Sequence, residues 1–132
     1  MHDELLCDRF QGAVDNYLTR HKSVLDSLSK LDECCARVNR SVAKAVTTCG
    51  CVKIQAEKQH IPGEVSLPEL HRYLDTHLRG ALCPQCKESV EEEIGDTMLY
   101  LTAICNLLEL NLGDVLLKEH RKLRTLGVFN LC

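Results

Sequence analysis

Four cysteines in two close pairs constrain the fold of this chain more than any other feature of its sequence. One residue separates Cys49 from Cys51, two residues separate Cys83 from Cys86, and a long segment lies between the pairs. Two such pairs are the ligand arrangement of a tetrahedral four-thiolate metal site. A site of this kind imposes a contact between distant parts of the chain, which hydrophobic patterning alone does not predict.

Zinc is the metal that the sequence favours for these four thiolates. Gly50 and Pro84 are turn-forming residues inside the pairs, and Cys86 falls near the start of a predicted helix, whose dipole favours a thiolate. In a closed four-thiolate site zinc has a structural role. An iron–sulfur cluster, a redox dithiol and four buried thiols without metal are the alternatives. The site would staple a Cys-rich loop, residues 47–65, to residues 83–86.

Length and composition predict a single cytoplasmic domain, residues 1–132. The length is that of one ordinary domain. The start, MHDELLCDRF, has no apolar secretory core, and no apolar run long enough to cross a membrane follows it, so we expect no membrane contact. Nine cysteines, an odd number, do not form a disulfide framework in the cytoplasm. A net charge of -3 with 4% aromatic residues argues against nucleic acid as a partner.

Hydrophobic periodicity predicts an all-α fold of four or five helices. Apolar residues recur at three- and four-residue spacing, and nothing alternates with period two over a useful length. Ser66 and Glu69 form a capping box that predicts the start of the third helix, and Gly80 predicts its end. The predicted helices are Asp3–Thr19, Ser23–Val46, Leu67–Leu78, Glu88–Leu110 and Gly113–Leu126.

The predicted helix Glu88–Leu110 is apolar on two faces. The first face carries Val90, Ile94, Met98, Leu101, Ile104 and Leu108. The second face carries Leu99, Tyr100, Ala103 and Leu107. The evidently solvated edge between them consists of Glu91, Gly95, Thr102, Asn106 and Glu109. One chain of this size has few helices to cover both faces, so we expect a homodimer or homotetramer whose interface uses this helix.

The start of the same helix carries a run of carboxylates. Glu93 and Asp96 are three residues apart, and Glu92 and Asp96 four apart, so their side chains converge on one side of the helix. That side continues as Leu99 and Tyr100, which belong to a packed surface. Clustered carboxylates on a partly buried face need a compensating cation, and magnesium would supply one. A solvated acidic face is the alternative.

The stretch EEEIGDTMLYLTAICNLLELNLGDVLLKEHRKL resembles the MazG-like nucleoside triphosphate pyrophosphohydrolases. The second metal-binding helix of that family typically has the pattern E-E-[LI]-G-D-x-L-x-Y-L, and the resemblance runs from about Ser29 to Lys122. It implies a helical bundle that dimerises or tetramerises, and cleavage of a nucleoside triphosphate to monophosphate and pyrophosphate with Mg²⁺ or Mn²⁺. The pair Glu93-x-x-Asp96 matches the metal-binding ExxD pair of the family directly.

The first metal-binding helix of the family is matched only in part. The family pattern K-L-x-E-E-x-x-E-L falls on Lys30–Val38, where Glu33 is the expected acid that remains and Arg37 occupies the last acidic position. Glu33 and Arg37 are also spaced for a helical ion pair. Lys118 and Lys122, with Arg37, could neutralise phosphates. The magnesium ligands that the resemblance implies are Glu33, Glu92, Glu93 and Asp96.

These features leave three functions open. The first is a nucleotide pyrophosphohydrolase with an incomplete carboxylate cage. The second is a catalytically inactive, zinc-stapled helical oligomer that binds a nucleotide or a protein partner. The third is a metal–thiolate redox sensor at the four cysteines. The missing acids separate the first function from the second, and the identity of the thiol-bound metal separates the third from both.

Overall fold

The computed structural model describes residues 2–18 and 23–126, and the fold over these residues is mainly helical, as predicted. A π-helical turn, Ala45–Cys49, continues the second helix, and a 3-10 helix, Leu67–Arg72, lies in the long connection that follows. The four α-helices are α1 (His2–Tyr17), α2 (Val24–Lys44), α3 (Pro84–Leu107) and α4 (Leu112–Leu126).

Two short strands form a sheet that the sequence pattern did not predict. β1 (Val52–Ile54) pairs antiparallel with β2 (Leu78–Gly80), with Val52 opposite Gly80. The expectation of a chain without strands is therefore wrong, because three-residue strands are too short for alternation to be detected. At Gly80 φ is +83°, and an added Cβ would lie 2.6 Å from the Cys51 carbonyl oxygen, so the pairing requires glycine there.

The predicted helix Leu67–Leu78 is wrong beyond its first turns, since its last residue belongs to β2. Ser66 occupies the N-cap position, but its side chain makes no capping hydrogen bond, and its carbonyl oxygen accepts from the Glu69 N–H at 3.0 Å. After the 3-10 helix, the Asp75 N–H donates to Gln59 Oε1 at 2.8 Å. This contact to an earlier part of the connection replaces the intrahelical bond that a longer helix would need.

The remaining predicted helices are confirmed within a few residues of their predicted ends. Ser23 caps α2, where its hydroxyl oxygen accepts from the Leu25 N–H at 3.3 Å. α3 starts at Pro84, before the predicted Glu88, because Cys83 provides its N-cap. The predicted end of the first helix, Thr19, lies outside the described residues.

The core lies where α3 meets α1 and α2. Val14 and Leu18 are buried against Ala103 of α3, and the half-buried Leu99 and Tyr100 pack against them. On α2 the buried residues are small, namely Ser27, Cys34 and, in the following turn, Ala45. Small side chains allow two helix backbones to approach closely, so α2 and α3 form the most extensive helix pair of the fold.

Two residues of the α3 edge that the sequence assigned to solvent are covered by the rest of the chain. Thr102 is only 1% exposed, and Asn106 is half-buried, with its Nδ2 donating to the Gln11 carbonyl oxygen at 3.0 Å. Gln11 Nε2 donates in turn to the Leu110 carbonyl oxygen at 2.7 Å. The predicted solvated edge is therefore wrong at both residues. Asn106 bonds to a backbone carbonyl of α1, whereas the buried Thr102 hydroxyl donates to the Met98 carbonyl oxygen of its own helix at 2.7 Å.

A short turn joins α3 to α4, and Glu109 within it has a positive φ of 57°. The two helices are bent by 109° at this turn. Among the described helices, none by itself is long and apolar enough to cross a membrane. α3 and α4 have the required length and apolar character only when they are taken together as one bent pair. The bend directs α4 back onto α1, with which it packs.

Candidate metal centre and acidic cavity

The four predicted cysteine ligands come together in the structure. Their Sγ atoms all lie within 4.8 Å of one another, and the Sγ atoms of Cys49 and Cys83 are 3.8 Å apart. A tetrahedral zinc ion with Zn–S bonds of about 2.3 Å places its sulfur ligands about 3.8 Å apart. The cluster is thus close to the size of a zinc tetrahedron. Over residues 2–18 and 23–126 it is the one group of three or more potential metal ligands of this closeness.

The first cysteine pair is positioned by the π-helical turn and by Gly50. Gly50 has a φ of +79° and donates its N–H to the Ala45 carbonyl oxygen at 2.9 Å, which ends the turn. That left-handed conformation favours glycine, and it separates Cys49 from Cys51 so that both face the cluster. Cys49 is exposed, whereas Cys51 is half-buried.

The second pair lies at the N-terminus of α3. Cys83 is the N-cap residue, and its Sγ accepts from the Cys86 N–H at 3.4 Å, while Pro84 occupies the first turn. This backbone N–H lowers the pKa of the Cys83 thiol to about 7. The hydrogen bond with Cys83 raises the pKa of Cys86 to about 12. Without metal, the cluster therefore holds a readily formed thiolate at Cys83 beside Cys86, whose thiol gives up its proton only to a metal or a strong base.

All four ligands flank the segment of residues 52–82, which we call the hairpin segment. Cys51 precedes β1 directly, and Cys83 follows β2 by three residues. The β1–β2 pairing brings the two ends of the hairpin segment together, next to the junction of α2 and α3. A metal ion in the cluster would therefore close the base of the hairpin segment.

A cavity of about 160 Å³ lies among α1, α2 and α3, and it brings together some of the predicted acidic residues. Glu33 and Asp96 both line it, although they come from different helices. Arg37, predicted to contact phosphates, lines it as well. The other lining residues are Tyr17, Lys30, Cys34, Leu99 and Tyr100.

Glu33 is neutralised by two basic residues of its own helix. Its Oε2 accepts from Lys30 Nζ at 3.1 Å, and its Oε1 accepts from Arg37 Nη2 at 2.6 Å. The hydrogen bond from Lys30, together with the charge of Arg37, lowers the pKa of the Glu33 carboxyl. Since both carboxylate oxygens are occupied, Glu33 is not free to bind a metal in this conformation.

Glu93 and Asp96 form no such ion pairs within residues 2–18 and 23–126. Both are half-buried, and no described residue donates a hydrogen bond to the buried Glu93 Oε2. Asp96 takes part in no ion pair with any described residue. Burial raises the pKa of the nearby Cys34 thiol, and the charges of Asp96, Glu33 and Glu93 add to the increase. Cys34 therefore marks the point on α2 that faces the unpaired carboxylates of α3.

Four of the predicted site residues do not line this cavity: the half-buried Glu93 is one, and the other three lie on exposed surface. Glu92 is exposed on α3, and Lys118 is exposed on α4. Lys122 Nζ lies 3.5 Å from Glu119 Oε1 in an exposed ion pair of α4. The structure thus groups Arg37, Glu33 and Asp96 and leaves these four outside the cavity.

Sequence reasoning missed Lys30 as a member of the acidic cavity. Its spacing of three residues from Glu33 was an available signal for the ion pair. Tyr17 also lines the cavity, and no local sequence signal places it there because α1 is distant in the chain.

No protein-family model, no curated protein and no solved structure matches this chain. The MazG-like resemblance stays a prediction that rests on the residues quoted for it. The chemistry available to the chain follows from the two sites: clustered thiolates suit a soft or borderline metal, and unpaired carboxylates suit a hard one.

Proposed function

We propose that this chain is a zinc-stapled helical protein, in which Zn²⁺ has a structural role. The observation that carries the proposal is the agreement between the Cys49–Cys83 sulfur separation, 3.8 Å, and the edge of a tetrahedral zinc–thiolate site. A redox dithiol needs only two thiols, whereas here four sulfur atoms lie within 4.8 Å of one another. A multi-iron cluster holds its cysteine sulfurs farther apart than a single ion does, so one ion fits this geometry better. The four ligands are Cys49, Cys51, Cys83 and Cys86.

A closed set of four protein ligands leaves no coordination position for water or substrate. The zinc would therefore act through folding, by holding the hairpin segment closed at the end of the α2–α3 pair. Closing a loop of this length costs about 3 to 4 kcal/mol of chain entropy. Metal–thiolate bonds formed at its base offset that cost.

Metal analysis of protein purified without oxygen tests this role. We expect one zinc per chain in a colourless protein, and loss of the zinc in Cys83→Ser. The matched control is Cys35→Ser, because Cys35 is an exposed cysteine outside the cluster. A brown, iron-containing protein would support the cluster alternative. Metal-free wild type, or a Cys83→Ser variant that keeps its zinc, would refute the proposed role.

A second candidate function, magnesium-dependent cleavage of a nucleoside triphosphate, is supported by the unpaired Glu93 and Asp96. These carboxylates would hold Mg²⁺ or Mn²⁺, and the ion would polarise the triphosphate. Arg37 lines the cavity and would face the phosphates if it released Glu33. Glu33 Oε1 would then be free as a further ligand, while Lys30 keeps its bond to Oε2. The same rearrangement without turnover would give a nucleotide-binding protein instead of an enzyme.

A panel of nucleoside triphosphates with Mg²⁺ or Mn²⁺ tests this candidate. Hydrolysis would release monophosphate and pyrophosphate in wild type and none in Asp96→Asn. Glu92→Gln is the matched control, since Glu92 is an exposed acid of the same helix and should be dispensable. Thermal stabilisation by a nucleotide without product would support binding alone. The absence of both product and stabilisation would eliminate the nucleotide as a ligand.

A further inference from the structure

α4 carries an exposed apolar stripe beside the side that packs on α1. The side facing α1 includes Gly113, where an added Cβ would lie 3.8 Å from Cys7 Cβ. At about 100° per residue, the positions of the stripe fall within an arc of about 100°, and the centre of that arc is about a quarter turn or more from Gly113. The packing of α4 onto α1 therefore leaves the stripe uncovered. Its residues, each 44% to 51% exposed, are Val115, Leu116, Leu123 and Leu126.

Basic residues border this apolar stripe. The segment Lys118–Arg124 contains four cations and one acid, although the whole chain has a net charge of -3. Lys118 and Lys122 lie one turn apart along one border of the stripe, and Arg124 lies toward the other. Lys118 and Arg124 form no ion pair with any described residue. α4 is thus a basic amphipathic helix whose exposed apolar stripe lies between cations.

These cations serve neither of the two sites described above. Lys118 and Lys122 were predicted to neutralise phosphates, but they lie outside the acidic cavity on the exposed surface of α4. Glu119 lies within the stripe, and its charge is balanced by Lys122, whose Nζ is 3.5 Å from Glu119 Oε1. The other cations leave the border of the stripe positively charged. A partner with anionic groups at its surface and an apolar layer beneath them would complement both features.

We infer that α4 binds along the surface of an anionic phospholipid bilayer. Basic amphipathic helices lie at the boundary between headgroups and hydrocarbon, with their apolar side inward and their cations at the headgroups. A protein groove that takes up an isolated helix would meet α1, which packs beside the stripe. A flat bilayer surface contacts only the exposed side of α4 and avoids that clash.

The inferred contact differs from a membrane crossing. The sequence prediction of no membrane contact rests on the lack of a crossing segment, and a helix that lies on the bilayer surface needs none. The contact is also separate from the zinc centre, because the second cysteine pair lies at the start of α3, whereas α4 follows the end of α3. Lipid binding and zinc binding can therefore be tested independently.

Co-sedimentation with lipid vesicles tests the inference. One set of vesicles contains phosphatidylcholine alone, and the other contains equal parts of phosphatidylcholine and phosphatidylglycerol. Wild type should sediment with the anionic set and not with the neutral set, and added salt should release it. Lys118→Gln/Lys122→Gln should bind on the order of 25-fold more weakly, at roughly fivefold for each lost cation. The matched control is Arg40→Gln/Lys44→Gln, an exposed basic pair with the same spacing on α2, which should bind as wild type does.

The apolar stripe is tested without a change of charge. Val115→Ser/Leu123→Ser should weaken binding on the order of tenfold or more, because less apolar surface enters the bilayer. Leu28→Ser/Leu101→Ser is the matched control, since these leucines of α2 and α3 are similarly exposed, and it should bind as wild type does. Glu119→Gln removes the acid from the stripe and should strengthen binding several-fold. Partial unfolding of a variant would not produce this opposite effect.

Unchanged zinc content shows that a variant is still folded, and it separates failure of lipid binding from failure of the zinc proposal. Wild type that leaves anionic vesicles unbound, or binds both sets equally, would overturn the inference. Equal losses in the α4 variants and their controls would overturn it as well. If Val115→Ser/Leu123→Ser changed the mass measured by light scattering without vesicles, the stripe would be a contact between protein chains, and the inference would fail.

Discussion

The cysteine cluster and the acidic cavity lie on the same helix pair. They differ in whether their potential metal ligands already bind other side chains. The four sulfur atoms all lie near one another, so the set is complete for one ion. In the cavity, Glu33 is already held by Lys30 and Arg37, and Asp96 is the acid that forms no ion pair with any described residue. Closeness of acidic residues is therefore a weaker indication of a metal than closeness of thiols, because basic side chains can satisfy an acid without any ion.

Removal of the metal from the cysteine cluster should produce the largest effect. We expect a strong chelator, or Cys86→Ala, to lower the free energy of unfolding by several kcal/mol, since metal binding at a structural site is coupled to folding. Chemical denaturation with and without chelator measures the change. Cys35→Ala should respond to chelator as wild type does, and equal stability with and without chelator would contradict a structural role.

Converting Arg37 to an acid should make the acidic cavity a better metal site, and so more like the cysteine cluster. Arg37→Glu removes one of the cations bound to Glu33 and adds a carboxylate to the cavity lining, so Mg²⁺ should bind about tenfold more tightly. Mn²⁺ binding followed by electron paramagnetic resonance would measure the affinity of the cavity. Arg40→Glu adds the same charge to the exposed surface of the same helix and should have little effect. Equal gains in the two variants would indicate a general charge effect.

Neutralising Asp96 should raise the stability of the protein slightly, whereas removal of the metal from the cysteine cluster should lower it. Without Mg²⁺, Asp96→Asn relieves repulsion with Glu93 and should stabilise the protein by a few tenths of a kcal/mol. With Mg²⁺ the wild type should gain stability and the variant should not. Thermal unfolding at two Mg²⁺ concentrations distinguishes these outcomes, and a destabilised variant would point to an undetected partner of the carboxylate.

The proton count on zinc binding should show the smallest effect. At pH 8 the Cys83 thiol is already ionised, because its pKa is about 7, whereas Cys86, with a pKa of about 12, still holds its proton. At pH 6 both are protonated, so zinc must displace about one more proton than at pH 8, and its affinity should fall more steeply with decreasing pH. Calorimetry in buffers of different ionisation enthalpy counts these protons. An equal count at both pH values would contradict the role of the Cys86 N–H at Cys83.

The sequence predicted those parts of the molecule whose signals are local. The stripe of α2 and the close spacing within each cysteine pair each lie within a few turns of chain, and the structure has both the helix and the converging sulfur atoms. The apolar periodicity also predicted α3 as a helix. The helix begins earlier than that periodicity, because Cys83 is its N-cap residue. Local patterns determined element type well and their ends less well.

The features that the sequence did not predict depend on contacts between distant residues. β1 and β2 pair only because the chain returns to the cysteine cluster, and each strand alone is too short to be recognised. Asn106 appeared solvated on its own helix, but the Gln11 carbonyl oxygen of α1 accepts its hydrogen bond. The Glu33–Lys30 pair was predictable from spacing, whereas the approach of Asp96 to Glu33 required the packing of α2 on α3.

The position of the four cysteines at the base of the hairpin segment makes that segment a replaceable module. Its two ends are fixed close together by the β1–β2 pairing and by the sulfur cluster. The residues inside the hairpin segment are therefore not needed to position α2 and α3. Loop entropy grows slowly with length, and each doubling of the loop costs only about 0.6 kcal/mol. Related chains could therefore carry hairpin segments of very different length and sequence on an unchanged helical frame, and a binding peptide could be grafted there without redesigning the fold.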